Sequence, residues 1–307
     1  MKLIKIFSFL LLIIIIGSNG YTQSEISESG KAGMSFLNIS PSAYIASMGG
    51  GSIALNSGAS SIWSNPSLIA FQEQRSLQLS HTSWIEGINQ EYAAFSSKAG
   101  SGAIGLGLEL FDSGDIEGRD DYGAETGDYS IKNAAVSITY ARQIFEWMAL
   151  GATYKKLYQK VYTETAGGYA VDAGLTILTP LKGMTLGASG RNYGSMDKLR
   201  NEKTELPSSL SIGGLYKGVL PSWDKSFNFV ADAVFPKYGN NGVRLGLEVV
   251  PYNGLFLRIG YRNDSDFEDM IFGFGIMFDK VSADFSYSPL SGISDNALRI
   301  SINLTGF

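Results

Sequence analysis

The 307-residue chain predicts an all-β fold, a transmembrane β-barrel of about fourteen antiparallel strands with a short N-terminal periplasmic plug segment. Three observations predict it. From Arg75 to the C-terminus, apolar and polar residues alternate with period two in one segment after another. The connections between those segments alternate short and long, as the two ends of a membrane barrel do. The chain also opens on an export leader yet has no cysteine, so its stability has to come from a large core or a closed sheet rather than from disulfides.

Residues 1–20 carry Lys2 and Lys5, an apolar run from Ile6 to Ile16, and the small residues Ser18 and Gly20 where a signal peptidase reads. That run is well short of the ~20 residues a spanning helix needs, so it reads as a signal peptide with the mature chain starting near Tyr21. Composition points the same way. With 37 glycines, 17% charged residues and a mean hydropathy of +0.04, the chain is too polar for a helical membrane bundle and too rich in glycine for a helical soluble protein. A net charge of -5 offers no basic footprint for nucleic acid.

Residues 21–73 read as an N-terminal plug or hatch segment. Within it, the stretch from Met48 to Phe71 does not alternate. Gly49, Gly50 and Gly51 permit a turn or a close approach to another surface, and Ser57 or Ser60 is placed to cap one short helix through Ile62 and Trp63. Asn65-Pro66 then ends that helix, because proline lacks an N–H and pushes the residue before it out of the α region. A half-apolar piece of this size needs a wall around it. It is expected in or under the periplasmic mouth, with Trp63 and Leu68 against the inner wall.

Residues 74–307 supply that wall. Predicted strands cover 75–84, 90–98, 101–111, 129–142, 146–158, 168–179, 183–193, 206–217, 225–235, 242–250, 254–263, 269–278, 281–288 and 297–306. Ile104, Leu106, Leu108 and Leu110 interleave with Gly105, Gly107 and Glu109, and the same pattern recurs in Leu298, Ile300, Ile302 and Leu304 against Arg299, Ser301 and Asn303. Long connections are expected at 112–128, 159–167, 194–205, 264–268 and 289–296, on the external side. A charge on the lipid face near the midplane costs roughly 2–4 kcal/mol, so the apolar set faces out. The charges expected in the lumen are Glu109, Lys155, Asp172, Arg191, Lys217, Asp232, Arg244, Glu248, Arg258, Arg262, Asp284 and Arg299. Aromatic residues such as Tyr140, Tyr154, Tyr169 and Tyr287 fall near strand ends, where an interfacial girdle belongs.

Gly33 through Phe36-Leu37, Pro41-Ser42-Ala43, Met48-Gly49-Gly50 and the run Trp63-Ser64-Asn65-Pro66-Ser67-Leu68 together resemble the N-terminal signature of the PorV/PorQ family. These are outer-membrane barrels distantly related to the FadL-type fatty-acid transporters. The resemblance implies the outer membrane of a Gram-negative bacterium. It also implies an accessory role in type IX protein secretion, with secretion-system components and exported cargo as partners.

The residues themselves suggest no enzyme. His81 neighbours Ser80 and Ser83, but adjacent strand residues point to opposite faces and do not make a Ser/His pair. One histidine and no cysteine exclude a histidine cluster or a zinc-thiolate site, and no cofactor is expected. The acids at Asp112, Asp115, Glu117, Asp120, Asp121, Glu125 and Asp128, and at Asp264, Asp266, Glu268 and Asp269, do not match a calcium-loop spacing and are read as solvated external loops. Secretion accessory is therefore the leading expectation. Its alternative is a FadL-like passive transporter with a hydrophobic ligand in the lumen, which the lack of an apolar external loop disfavours.

Overall fold

The computed structural model describes residues 32–120, 122–200, 202–220, 223–265, 267–292 and 295–307, so the expected leader lies outside the described residues. The strands are β1 (Ser76–Ser83), β2 (Asn89–Ala99), β3 (Gly102–Asp112), β4 (Ile116–Arg119), β5 (Glu125–Tyr129), β6 (Ile131–Phe145), β7 (Met148–Val161), β8 (Glu164–Leu178) and β9 (Met184–Met196). They continue with β10 (Lys198–Leu199), β11 (Glu202–Lys203), β12 (Ser209–Leu220), β13 (Lys225–Pro236), β14 (Gly242–Tyr252), β15 (Leu255–Arg262), β16 (Met270–Phe278), β17 (Val281–Pro289) and β18 (Asn296–Thr305). Fourteen of them form a closed antiparallel barrel in sequence order. The pairs β4–β5 and β10–β11 are separate two-stranded hairpins in the connections. Closure is made by β1 on β18, in register from Ser76 opposite Thr305 to Ser83 opposite Leu298, and leaves no free sheet edge.

Each barrel strand corresponds to one of the fourteen predicted spans, because the alternation that defined those spans is the wall's inside-outside alternation. In β3, Ala103, Gly105, Gly107 and Glu109 face in, while Ile104, Leu106, Leu108 and Leu110 are exposed outward. Tyr140, Tyr154, Tyr169 and Tyr193 are likewise about half exposed on the outer face. Buried charges and hydroxyls on the inward positions of the wall and large apolar side chains on its outward positions are the reverse of a water-soluble domain and the arrangement that a hydrocarbon surround stabilises.

Three connections differ from expectation. The predicted long loop at 159–167 is only the turn Tyr162-Thr163, because β7 and β8 stay paired to Val161 opposite Glu164. Tyr162 takes a left-handed φ of 54°, which lets the two strands run to their ends. The predicted loops at 112–128 and 194–205 hold the β4–β5 and β10–β11 hairpins, so Glu117, Glu125 and Asp128 stand on a structured projection. One barrel end therefore carries only short connections, and the other carries both hairpins and the longer loops.

Thr126 is exposed in β5 at the loop end, and Lys182 lies in the β8–β9 connection at the opposite end. With no native cysteine, single substitutions report orientation directly. On intact cells an impermeant thiol reagent is expected to label Thr126→Cys and not Lys182→Cys. The reverse pattern would invert the barrel.

Candidate functional site in the barrel lumen

The lumen is occupied by the chain's own N-terminal part. At the loop end, the Gly33 amide donates to the Glu205 carbonyl at 3.0 Å. From there the chain passes down the interior to the start of β1, with Met34, Leu37, Ile45, Met48, Leu55, Ile62, Trp63, Leu68 and Ile69 all buried. The piece expected at the mouth, residues 49–71, does pack on the short-turn halves of β3, β7, β8 and β9 with Trp63 and Leu68 buried. The segment does not end there: residues 32–48 carry it on to the loop end, so that it runs the length of the barrel. The physical reason lies in the wall. Its inner face carries polar and small residues along its whole height, with apolar patches at Leu157, Leu215 and Val230, and needs partners along its whole height.

Local sequence explains the segment's shape. Ser42 caps the helical turn Ala43–Ser47, accepting from the Ile45 amide at 3.5 Å. Gly58–Ser60 and Ser61–Ser64 form a short 3-10 and α pair that ends at Asn65, and Pro66 opens the next 3-10 turn, Pro66–Phe71. The helix expected around Trp63 is present. Neither Ser57 nor Ser60 caps it with a side chain, and Ser61 Oγ instead accepts from the Ser57 amide.

The family-like motif residues are the ones that touch the wall most closely. Asn65 Nδ2 donates to the carbonyls of Ile53 (2.7 Å) and Leu175 (3.2 Å), while its Oδ1 accepts from Ser67 N and Oγ. Ser67 Oγ in turn meets Thr176 Oγ1 on β8 at 2.7 Å. This knot lies flat on the wall because β7 and β8 present Gly151 and Gly174 there, where any Cβ would run into Asn65, Pro66 or Ser67. Met48 and Gly49 sit in a second cradle at Gly246 and Gly260, and Gly49 itself has a φ of 68° that suits glycine. Gly50 (φ 76°) follows with its carbonyl 3.4 Å from Arg244 Nη1, and Leu68 is buried in the Pro66–Phe71 turn.

The lumen charges form pairs with one another and with the segment. Asp232 accepts from the Ser52 and Ile53 amides at 2.6 and 3.1 Å. Arg258 bonds Glu248 and Asp284, each at 2.6 Å, and lies 4.2 Å over the Tyr44 ring. Lys155 meets Asp172 at 2.7 Å and Asn192 Oδ1 at 2.8 Å. Asp172 also accepts from the Asn192 amide, which fixes a bulge in β9 where Asn192 has a φ of 59°. Glu109 accepts from Gln90 at 2.6 Å, and Arg191 stacks 3.9 Å over the Trp63 ring. Arg299 donates to the Ser40 carbonyl at 3.1 Å. Lys217 is the exception among the expected lumen charges, being exposed near the short-turn end of β12.

A second correction concerns the acids after β15. Asp264 and Glu268, expected to be solvated, turn inward and are buried. Asp264 holds Arg244 (2.6 Å) and Arg262 (2.8 Å), and Glu268 holds Arg262 (3.4 Å) and Arg299 (3.0 Å). Burial by itself would raise both carboxyls, but the neighbouring arginines outweigh it and hold each below the usual carboxylate range. Arginines inside the loop end needed counter-charges that their own strands did not provide.

His81 and Ser80 lie on opposite faces. Ser80 points in and bonds the Pro41 carbonyl and Ser301. His81 points out, 2.6 Å from Glu91 on β2, with both side chains about half exposed. Among the described residues, no cluster of acids and histidines is arranged to hold a metal ion.

Comparison with known proteins places the fold. No protein-family model matches the chain, and no curated protein matches it in sequence. Solved structures do. The Pseudomonas putida toluene transporter TodX matches with a TM-score of 0.60 at 14% identity, over 85% of this chain and 96% of TodX. The monoaromatic hydrocarbon channel CymD matches with a TM-score of 0.60 at 16% identity, over 85% of this chain and 96% of CymD. A Pseudomonas aeruginosa FadL homologue matches with a TM-score of 0.54 at 11% identity, over 83% and 95% of the two chains. The fold is that of FadL-type outer-membrane barrels. At these identities the likeness is one of architecture.

Proposed function

We propose that the chain is an outer-membrane barrel of the FadL-like kind that lets a hydrophobic small molecule cross, with the lumenal segment as its resting closure. The observation that carries this reading is the match to TodX and CymD over almost the whole of those chains. The lumenal segment supports it in a second way, since it is anchored by hydrogen bonds, cation–ring contacts and close packing, and none of the barrel's strand pairings runs through it. In this reading Trp63 and Asn65 are the residues on which opening turns. In the same reading the barrel sits in the outer membrane of a Gram-negative bacterium.

A second reading, a PorV/PorQ-like accessory of type IX secretion, is favoured by one specific observation. The lumen is closed by a packed segment and crossed by buried ion pairs rather than left as an open apolar conduit, and the β4–β5 hairpin is hydrophilic, as protein-contact surfaces are. One strain separates the two. Disrupting the gene is expected to slow uptake of radiolabelled toluene or a long-chain fatty acid, with exported proteins bearing C-terminal sorting domains still reaching the surface. Normal uptake together with those proteins stranded in the periplasm would reject the transport reading and establish the second.

A further inference from the structure

At the loop end of the lumen, a cavity of about 220 Å3 lies between residues 32–38 and the inner faces of β9, β12, β13 and β14, with exposed Gly239 and Asn240 at its rim. Three of its lining residues are arginines: Arg191, Arg244 and Arg262. Among the described residues that line it, the only carboxylate is Asp264. Asp264 is already held by Arg244 and Arg262.

Arg191 is different. It is 4% exposed, its Nη2 donates to the Leu37 carbonyl at 2.7 Å, and its guanidinium lies 3.9 Å over the Trp63 ring. Among the described residues no carboxylate lies within ion-pair distance of it, Asp172 and Glu109 acting on it only from further off, whereas Lys155, Arg244, Arg258, Arg262 and Arg299, the other buried cations of the lumen, each have one in contact. Its Nε finds no hydrogen-bond acceptor. Ser209, directly opposite Arg191 in the β9–β12 register, and Ser211, two residues along β12, line the same space.

We propose that this cavity is a binding site for a small hydrophilic oxyanion, recognised by the Arg191 guanidinium and the hydroxyls of Ser209 and Ser211. A buried cation with no anion in direct contact is costly, and a guanidinium held by an indole face and one carbonyl keeps spare N–H donors for a carboxylate or phosphate. The neighbouring ion pairs argue for hydrophilicity too. A hydrocarbon here would be packed against three guanidinium groups and two serines and would satisfy none of them. The site is independent of the transport reading, since it concerns a water-soluble ligand entering from the loop end.

The test is isothermal titration of the full-length protein in detergent with sodium phosphate, sodium succinate and, as a probe for a fatty-acid head, sodium decanoate. Intrinsic fluorescence, with Trp84, Trp147 and Trp223 replaced by Phe so that Trp63 alone reports, serves as a second readout. Saturable one-to-one binding of phosphate or succinate is expected, and which of the two binds identifies the oxyanion. Arg191→Gln should weaken it about tenfold or more. Ser211→Leu, which fills the cavity without touching a charge, should abolish it while the protein keeps its heat-modifiable mobility. Should Arg191→Gln fail to fold, Ser211→Leu decides alone. Absence of binding by both compact anions, binding of decanoate alone, or unchanged affinity in the folded variants would overturn the proposal.

Discussion

Deleting residues 33–71 is expected to leave a folded barrel and to raise its single-channel conductance in planar bilayers by roughly tenfold or more, since a fourteen-strand cylinder lies between filled eight-strand barrels and open porins. The wall does not depend on the segment for any strand. Each of the fourteen barrel strands pairs with two neighbours, and β1–β18 closes the ring without a residue from 33–71. What the deletion removes is filling and hydrogen-bond partners. Asp232 loses the Ser52 and Ile53 amides, Arg299 loses the Ser40 carbonyl, and Ser80 loses the Pro41 carbonyl. Water entering the emptied lumen can replace all of these, so the desolvation penalty that normally follows removal of a buried partner does not arise. Gly174→Leu is the point-mutation counterpart. Its side chain would occupy the place of Asn65 and Pro66 and should unseat the segment locally, with a smaller gain in conductance. Unchanged conductance on deletion, in a protein whose unboiled band still migrates as a compact barrel, would mean that the segment does not block the lumen.

Strand positions could be read from the sequence because a wall between lipid and a polar interior imposes period two on every strand, whatever the wall encloses. Leu298, Ile300 and Ile302 had to face outward once Arg299 and Ser301 were placed inward, and no tertiary information was needed. The interior was less legible for a definite reason. Gly105, Gly151, Gly174, Gly187, Gly246, Gly260 and Gly273 all fall on the inward parity of their strands, yet in one dimension they look like ordinary weak positions. Only contact with residues 47–67, up to about two hundred positions away, shows them to be a seat for the segment. Asp264 and Glu268 failed for the same kind of reason. An acid in a loop is read as solvated unless the arginines it will meet are known, and Arg244 and Arg299 come from strands on either side of that loop. The extension of β7 and β8 to Val161 and Glu164 escaped because lysines and glutamine beyond the apolar band look like loop. They can still pair as strands once the hairpin rises out of the membrane.

The largest stability effect is expected at Arg258. It is the shared cation of two carboxylates, Glu248 and Asp284, each bonded at 2.6 Å with both partners almost fully buried, and it also covers the ring of Tyr44 from the lumenal segment. Arg258→Met keeps much of the side chain's volume and removes only the charge and its donors. That leaves two carboxylates facing each other across β14, β15 and β17 in a lumen where the segment excludes bulk water. Breaking a buried pair by removing one partner typically costs about 3–5 kcal/mol, and here a single substitution orphans two acids. The expected result is a clear fall in the urea midpoint of the detergent-solubilised protein, read from the loss of the heat-modifiable band. The triple variant Arg258→Met, Glu248→Gln, Asp284→Asn tests the cause, because the contributions of groups in one network do not add. Neutral amides there need no cation, and Asn228 and Asn303, which donate to Glu248 and Asp284 in the native structure, can reorient to serve them. Most of the lost stability should therefore return in the triple variant. If it is as unstable as the single variant, the role of Arg258 lies in its packing on Tyr44, and if the single variant is as stable as the native protein, water reaches the two acids and the lumen there is not closed.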